Sequence, residues 1–252
     1  MNAGFKRLVT FCTLGTPVLL AGLGTPVAAQ GNPDFNWSVT PYLWATDTTV
    51  DLSFRDTNIG SGNVSFGDLV DALDAAFMIH AEGGDGHWSG FVDLTYLDTS
   101  KTNTRQALTI DSESEQIFLD VAAAWWPRGF GDNLNLYGGA RYTSFSDSFR
   151  FRAGEQVLGE QNQDSDYADF LVGVRYRFDL SQRWTLLTQA DTSFGESEGT
   201  WLARANIGYS VGKRRQNRIL FGYQFKQAEF EDDDLTTDFT YKGAMAGFNF
   251  RF

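Results

Sequence analysis

After residue 29 the chain alternates apolar and polar residues with a period of two almost to its end. Phe170, Val172, Val174, Tyr176 and Phe178 interleave with Asp169, Leu171, Gly173, Arg175 and Arg177. Trp201, Ala203, Ala205, Ile207 and Tyr209 repeat the pattern, as do Ile219, Phe221, Tyr223 and Phe225, and then Ala244, Ala246, Phe248, Phe250 and Phe252. This is the period of a strand, whose successive side chains point to opposite faces. No apolar run in this region approaches the ~20 residues of a spanning helix. The chain is therefore a soluble β-sandwich or barrel, or a transmembrane β-barrel, whose strands need only ~9–11 residues to cross a bilayer.

Residues 1–29 read as a signal peptide. Lys6 and Arg7 form a short positive region, Leu8 to Leu23 is mainly apolar, and Val27-Ala28-Ala29 offers small residues for cleavage after Ala29. A helical anchor is disfavoured because Pro17 and several threonines interrupt the stretch. A lipoprotein is disfavoured because Cys12, the only cysteine of the chain, follows Phe11 inside the apolar core. Residues 30–252 then form a single expected domain with 18 basic and 32 acidic residues, net −14, and no cysteine. This acidity argues against nucleic acid as a partner, since phosphate binding needs a basic face. An exported chain of this size without disulfides must draw its stability from elsewhere.

The alternation predicts ten strands, near 35–46, 73–84, 87–99, 114–126, 133–148, 165–179, 183–195, 199–211, 217–230 and 238–252. Short connections, 83–86, 127–132, 180–182 and 212–216, alternate with longer ones, 47–72, 100–113, 149–164 and 231–237, with one short exception near 196–198. Short turns on one rim and long loops on the other characterise transmembrane barrels, and an even strand count places both termini on the short-turn, periplasmic side. The fold class expected is an all-β, antiparallel, up-and-down transmembrane barrel of about ten strands (eight to twelve), monomeric.

A soluble lipocalin-like barrel would alternate as well. Aromatics decide between them. They make up 15 % of the chain and gather near strand ends, at Trp37, Trp88, Trp125, Trp126, Tyr142, Trp184 and Trp201, where interfacial girdles sit. Phe248, Phe250 and Phe252 share one face of the last strand and resemble the C-terminal assembly signal of bacterial outer-membrane barrels.

Stretches spread over the chain carry a wider likeness. Pro41-Tyr42-Leu43-Trp44, Leu73-Asp74 through Phe77-Met78, and Trp88 with Asp93 and Tyr96-Leu97 belong to it. So do Val172-Gly173-Val174-Arg175-Tyr176, Leu180 to Trp184, Ala190-Asp191, Phe194-Gly195, Thr200-Trp201 and Gly222-Tyr223. As an ensemble they resemble a largely uncharacterised family of proteobacterial outer-membrane β-barrel proteins. The resemblance implies the fold, the outer membrane of a Gram-negative cell, its lipid and its barrel-assembly machinery as partners, and no particular reaction.

The face opposite the apolar one carries Glu82, Asp93, Asp120, Asp169 and Asp191 against Arg141, Arg175, Arg177, Arg204, Lys226 and Arg251. Charges taken partly out of water stay ionised when paired, so a cross-strand network of Arg–carboxylate pairs across the lumen is expected. Barrels of about eight strands are filled by side chains, and open channels need more. Ten strands favour a lumen closed by this network over a porin-like channel for small polar solutes, the alternative. His80, on one face with Met78 and Glu82, reads as a lumen residue bonded to its neighbours. His87 falls near a short turn. No G-x-S-x-G and no compelling Ser/His/Asp arrangement is present, and absent cysteines exclude structural zinc. No enzyme activity and no cofactor is expected. The acidic run Glu231 to Asp234 is a candidate for divalent cations, but its spacing suits a solvated loop better. The segment 48–72 is too long for an idle turn and is expected to form a hairpin extension or an inward constriction.

Overall fold

The computed structural model describes residues 36–252 other than 56, 106–107, 213–215, 233 and 234. The expected signal peptide, with Cys12, lies outside the described residues, as do Lys213-Arg214-Arg215, Asp233 and Asp234. The described chain forms eleven strands and one short helix: β1 (Asn36–Phe54), β2 (Thr57–Val64), α1 (Phe66–Ala72), β3 (Leu73–Asp85), β4 (Trp88–Arg105), β5 (Leu108–Trp125), β6 (Leu134–Ala153), β7 (Gln156–Asp179), β8 (Trp184–Gly195), β9 (Gly199–Val211), β10 (Asn217–Asp232) and β11 (Leu235–Arg251). From β3 to β11 each strand pairs antiparallel with the next, and β11 pairs with β1 over Ser38↔Arg251 to Phe54↔Leu235, closing a ten-stranded barrel.

The eleventh strand is an addition on the long-hairpin rim. β1 pairs with β3 only over Asn36↔Gly84 to Pro41↔Ile79, and its far end pairs instead with β2, from Thr48↔Val64 to Phe54↔Thr57. Residues 42–47 therefore carry no ladder on that edge of β1. Pro41, which lacks an N–H, stands where the ladder stops. α1 bridges the break. Ser65 accepts from Asp68 N (3.2 Å) while Asp68 Oδ2 accepts from Ser65 N (3.3 Å), a reciprocal cap. Phe66 N donates to Asp47 Oδ1 (2.7 Å), tying the helix start to β1.

Over 100–113, 149–164 and 231–237, expected as long loops, the strands run on as hairpin arms: Lys101↔Ser112 pair in β4–β5 and Arg150↔Glu160 in β6–β7. Polar cross-strand pairs support these arms, such as Thr102 Oγ1 to Asp111 (2.7 Å) and Ser146 Oγ to Asp164 (2.6 Å).

The wall has two faces of opposite character. Phe170 is 69 % exposed while the next residue, Leu171, is 1 % exposed. On β4 the outward side runs Trp88, Gly90, Val92, Leu94, Tyr96, and on β3 it runs Ala75, Phe77, Ile79, Ala81. The outer surface is thus an apolar belt about one membrane-crossing strand in height. Tyr142 and Trp201 sit at its upper edge with their polar handles engaged, Tyr142 on Asp166 (2.7 Å) and Trp201 on Gln227 (3.0 Å). Trp37, Trp88, Trp125 and Trp184 ring the short-turn end, each exposed. Trp126, expected in that ring, is buried and faces the lumen, its Nε1 donating to Ser89 Oγ (2.8 Å). Consecutive strand residues point to opposite faces, so Trp125 and Trp126 cannot share one side.

Candidate functional site

Period-two geometry sends Glu82, Asp93, Asp120, Arg141, Asp169, Arg175, Asp191, Arg204 and Lys226 to the inner face, where they are wholly or largely buried. Arg177 and Arg251 lie inward at the short-turn mouth. Register then decides which of them meet.

One cluster centres on Arg141. Asp120 stands directly opposite it on β5, and the guanidinium donates Nε to Oδ1 (2.7 Å) and Nη2 to Oδ2 (2.8 Å). Nη2 also reaches Asp191 Oδ1 on β8 (2.9 Å). Tyr137 (2.7 Å) and Gln189 (2.9 Å) both donate to Asp191 Oδ2. Tyr137 can lie across β7 because Gly173 has no side chain: a Cβ there would come within 2.3 Å of the tyrosine ring.

A second cluster runs through His80. Arg175 grips Glu82 with two parallel hydrogen bonds (3.0 and 2.9 Å), and its guanidinium lies 4.6 Å from the centre of the Phe91 ring. Ser89 donates to Glu82 as well (2.7 Å). His80 stands between two carboxylates, with Nδ1 3.1 Å from Asp93 Oδ2 and Nε2 3.6 Å from Glu82 Oε2. Asp93 also accepts from Tyr42 (2.6 Å) and faces Arg204 at 3.6 Å. His80 and Asp93 are direct register partners on β3 and β4.

Four of the expected residues lie apart from both clusters. Asp169 turns to the β8–β9 turn and accepts from Ser193, Ser197 Oγ and Ser197 N (3.1, 2.5 and 3.0 Å). Lys226 holds its ammonium 3.7 Å from the centre of the Phe118 ring. Arg177 binds Asp179 (3.0 Å), Asn133 (2.9 Å) and the Gly131 carbonyl (2.6 Å). Arg251 has no carboxylate within ion-pair distance among the described residues.

Toward the long-hairpin rim the lumen is apolar. Tyr42, Trp44, Phe118, Phe145, Phe230 and Tyr241 pack inward as one cluster, with Phe118 edge-on to Phe145 and Tyr241. The sequence contained the signal, because these rings occupy inward positions otherwise held by polar residues. Between this cluster and the layer of Arg141, Asp120 and Asp93 lies a gap of about 20 Å³. Below that layer a cavity of about 190 Å³ opens among β1, β3 and β6–β11, with Arg175, Arg204, Arg218 and Arg251 in its lining. Among the described residues no three His, Cys, Asp or Glu are grouped to hold a metal ion. His87 caps the short-turn end, its Nδ1 2.8 Å from the Trp126 carbonyl.

No protein-family profile matches the chain, and no curated protein matches it. The family likeness read from the sequence thus has no support from sequence comparison. Among solved structures, the attachment invasion locus protein Ail of Yersinia pestis matches over 86 % of this chain and 98 % of its own, at 8 % identity and a TM-score of 0.38. The translocator domain of the autotransporter NalP of Neisseria meningitidis matches over 86 % and 88 %, at 11 % identity and a TM-score of 0.46. The outer membrane protease OmpT of Escherichia coli matches over 88 % and 98 %, at 8 % identity and a TM-score of 0.47. At these scores none of them bears on the chemistry of this lumen.

Proposed function

We propose that this chain is a non-enzymatic, integral outer-membrane β-barrel whose lumen is closed by side chains, acting in the envelope or at the cell surface. The observation that carries the reading is the inversion of the barrel. Between the rims its exposed face is apolar, and its buried ion pairs line the lumen. A monomer in water rarely exposes a contiguous apolar patch beyond a few hundred Å², whereas a bilayer requires such a belt over a closed, fully hydrogen-bonded wall. In this reading the short turns face the periplasm, the hairpin arms face outward, the belt contacts lipid, and Phe248, Phe250 and Phe252 present the last strand to the assembly machinery.

The reading of a closed lumen is supported by the stacked Arg141 layer and aromatic cluster, which meet around a gap of about 20 Å³. Both nitrogens of His80 face carboxylates inside the wall, away from either rim, which supports a structural rather than a catalytic histidine. The full chain is to be produced in a Gram-negative host and fractionated. The reading expects resistance to carbonate extraction and faster gel migration before heating than after. Recovery in the soluble periplasmic fraction without detergent would refute it.

A further inference from the structure

The cavity on the short-turn side has an imbalance of charge that the ion-pair clusters leave unresolved. Its lining includes five arginines, Arg175, Arg177, Arg204, Arg218 and Arg251, against two carboxylates, Glu82 and Asp132. Arg175 is matched by Glu82, Arg204 by Asp93 and Arg177 by Asp179. Asp132 lies within 4.0 Å of Arg128 on the turn. Arg218 and Arg251 are left over: among the described residues neither has a carboxylate within ion-pairing distance. They sit on neighbouring strands, inward at the same end, close enough to repel one another and Arg177. Arg218 Nε is buried without any hydrogen-bond partner.

This arrangement is built rather than incidental. The Arg218 stem lies across β9 at Gly208, where a Cβ would come within 2.4 Å of Arg218 Cδ. Arg251 Nη2 lies against Gly131 of the β5–β6 turn, 3.6 Å from the position a Cβ would take. A chain with 32 acidic residues has carboxylates to spare, yet among the described residues Asp179 acts on Arg218 and Glu82 on Arg251 only from beyond ion-pair distance. Arg251 is exposed at the mouth and Arg218 is half-buried, and a buried guanidinium nitrogen without a partner, as at Arg218 Nε, is costly. Their planar forks match the oxygens of phosphate or carboxylate.

We infer that the short-turn half of the lumen is a binding site for a small soluble oxyanion of the phosphate type, held between Arg218 and Arg251 with Arg177 at its edge. The cavity volume of about 190 Å³ holds roughly six waters at ~30 Å³ each, which suits orthophosphate or a short phosphomonoester. The inference depends on the lumen geometry and not on whether the barrel conducts.

Trp126 lines the cavity and supplies an optical reporter beside calorimetry. The refolded chain in detergent is titrated with inorganic phosphate at constant ionic strength. Saturable binding is expected. Because hydrogen bonds to a charged group are among the strong ones, Arg218→Gln and Arg251→Gln should each weaken it about tenfold or more. Gly208→Ala changes no charge but displaces the Arg218 stem, and should weaken binding as well. Arg150→Gln, on an exposed hairpin arm, should leave it unchanged, and heat-modifiable migration certifies that each variant is folded. The inference is overturned if wild type shows no saturation with phosphate, or if the folded double variant binds as wild type does. It is also overturned if only a lipid-borne phosphate, offered as short-chain phosphatidic acid, binds.

Discussion

At the scale of single residues, the inner face was legible in the sequence but its contacts were not. Parity along a strand sends Asp93 and Arg141 inward whatever the register. The partner of each depends on how neighbouring strands align, which parity does not encode. His80 illustrates this. Its same-strand neighbour Glu82 was visible at once, whereas Asp93, the closer partner at 3.1 Å, appears only when β3 and β4 pair. Asp169 carried the same inward signal as Asp120, yet it secures a turn through Ser193 and Ser197. Because Arg141 is 1 % exposed and joins two carboxylates, Arg141→Leu strands both of them. Breaking one partner of a buried pair costs about 3–5 kcal/mol, and urea unfolding in vesicles should register a loss of that size. The triple variant that also carries Asp120→Asn and Asp191→Asn should recover much of it.

Titration outside the membrane adds a second residue-scale test. The Thr102 hydroxyl, with Arg152 beside it, holds the Asp111 carboxyl below its usual range on the β4–β5 arm. A carboxyl depressed in the folded state contributes stability above its unfolded pKa and loses that contribution as pH falls through the folded value. Amides near Asp111 should therefore keep full protection at neutral and mildly acidic pH and lose it only as pH falls below about 4. Thr102→Val should move that loss to higher pH. An arm indifferent to acid in both proteins would exclude this coupling.

At the scale of elements, the positions of ten strands followed from the alternation and their lengths did not. The arms over 100–113 and 149–164 alternate only briefly, at Leu108 and Ile110 and at Phe149 and Phe151, because both of their faces are in water and no core imposes a pattern. Thr102 on Asp111 and Ser146 on Asp164 sustain them instead. The segment 48–72 resolved into an added strand and a capped helix, with the ladder between β1 and β3 ending at Pro41↔Ile79. That seam leaves residues 42–47 paired on the β11 side alone, and backbone groups without partners are costly in a bilayer. Hydrogen exchange in vesicles should find amides in 42–47 that exchange faster than those of Ser38 and Val39, which are paired on both sides. Equal protection across the two segments would show that the seam is closed in the membrane.

At the scale of the whole molecule, one physical requirement explains why the fold was readable. A wall with lipid on one side and packed polar groups on the other must alternate along every crossing strand, so a short window reports the architecture. What fills the lumen was less legible. The inward rings Trp44, Phe118, Phe145 and Tyr241 share a parity with the charges, and only closure of the barrel shows that they gather at one end. The central claim is a membrane barrel without a continuous aqueous path. Its most direct test is single-channel conductance of the refolded chain in a planar bilayer, beside Arg175→Ala and Asp191→Ala. The account predicts inserted, heat-modifiable protein with no stable open steps in wild type. Regular steps whose size or ion preference shifts in these variants would contradict it and establish a pore lined by the same residues.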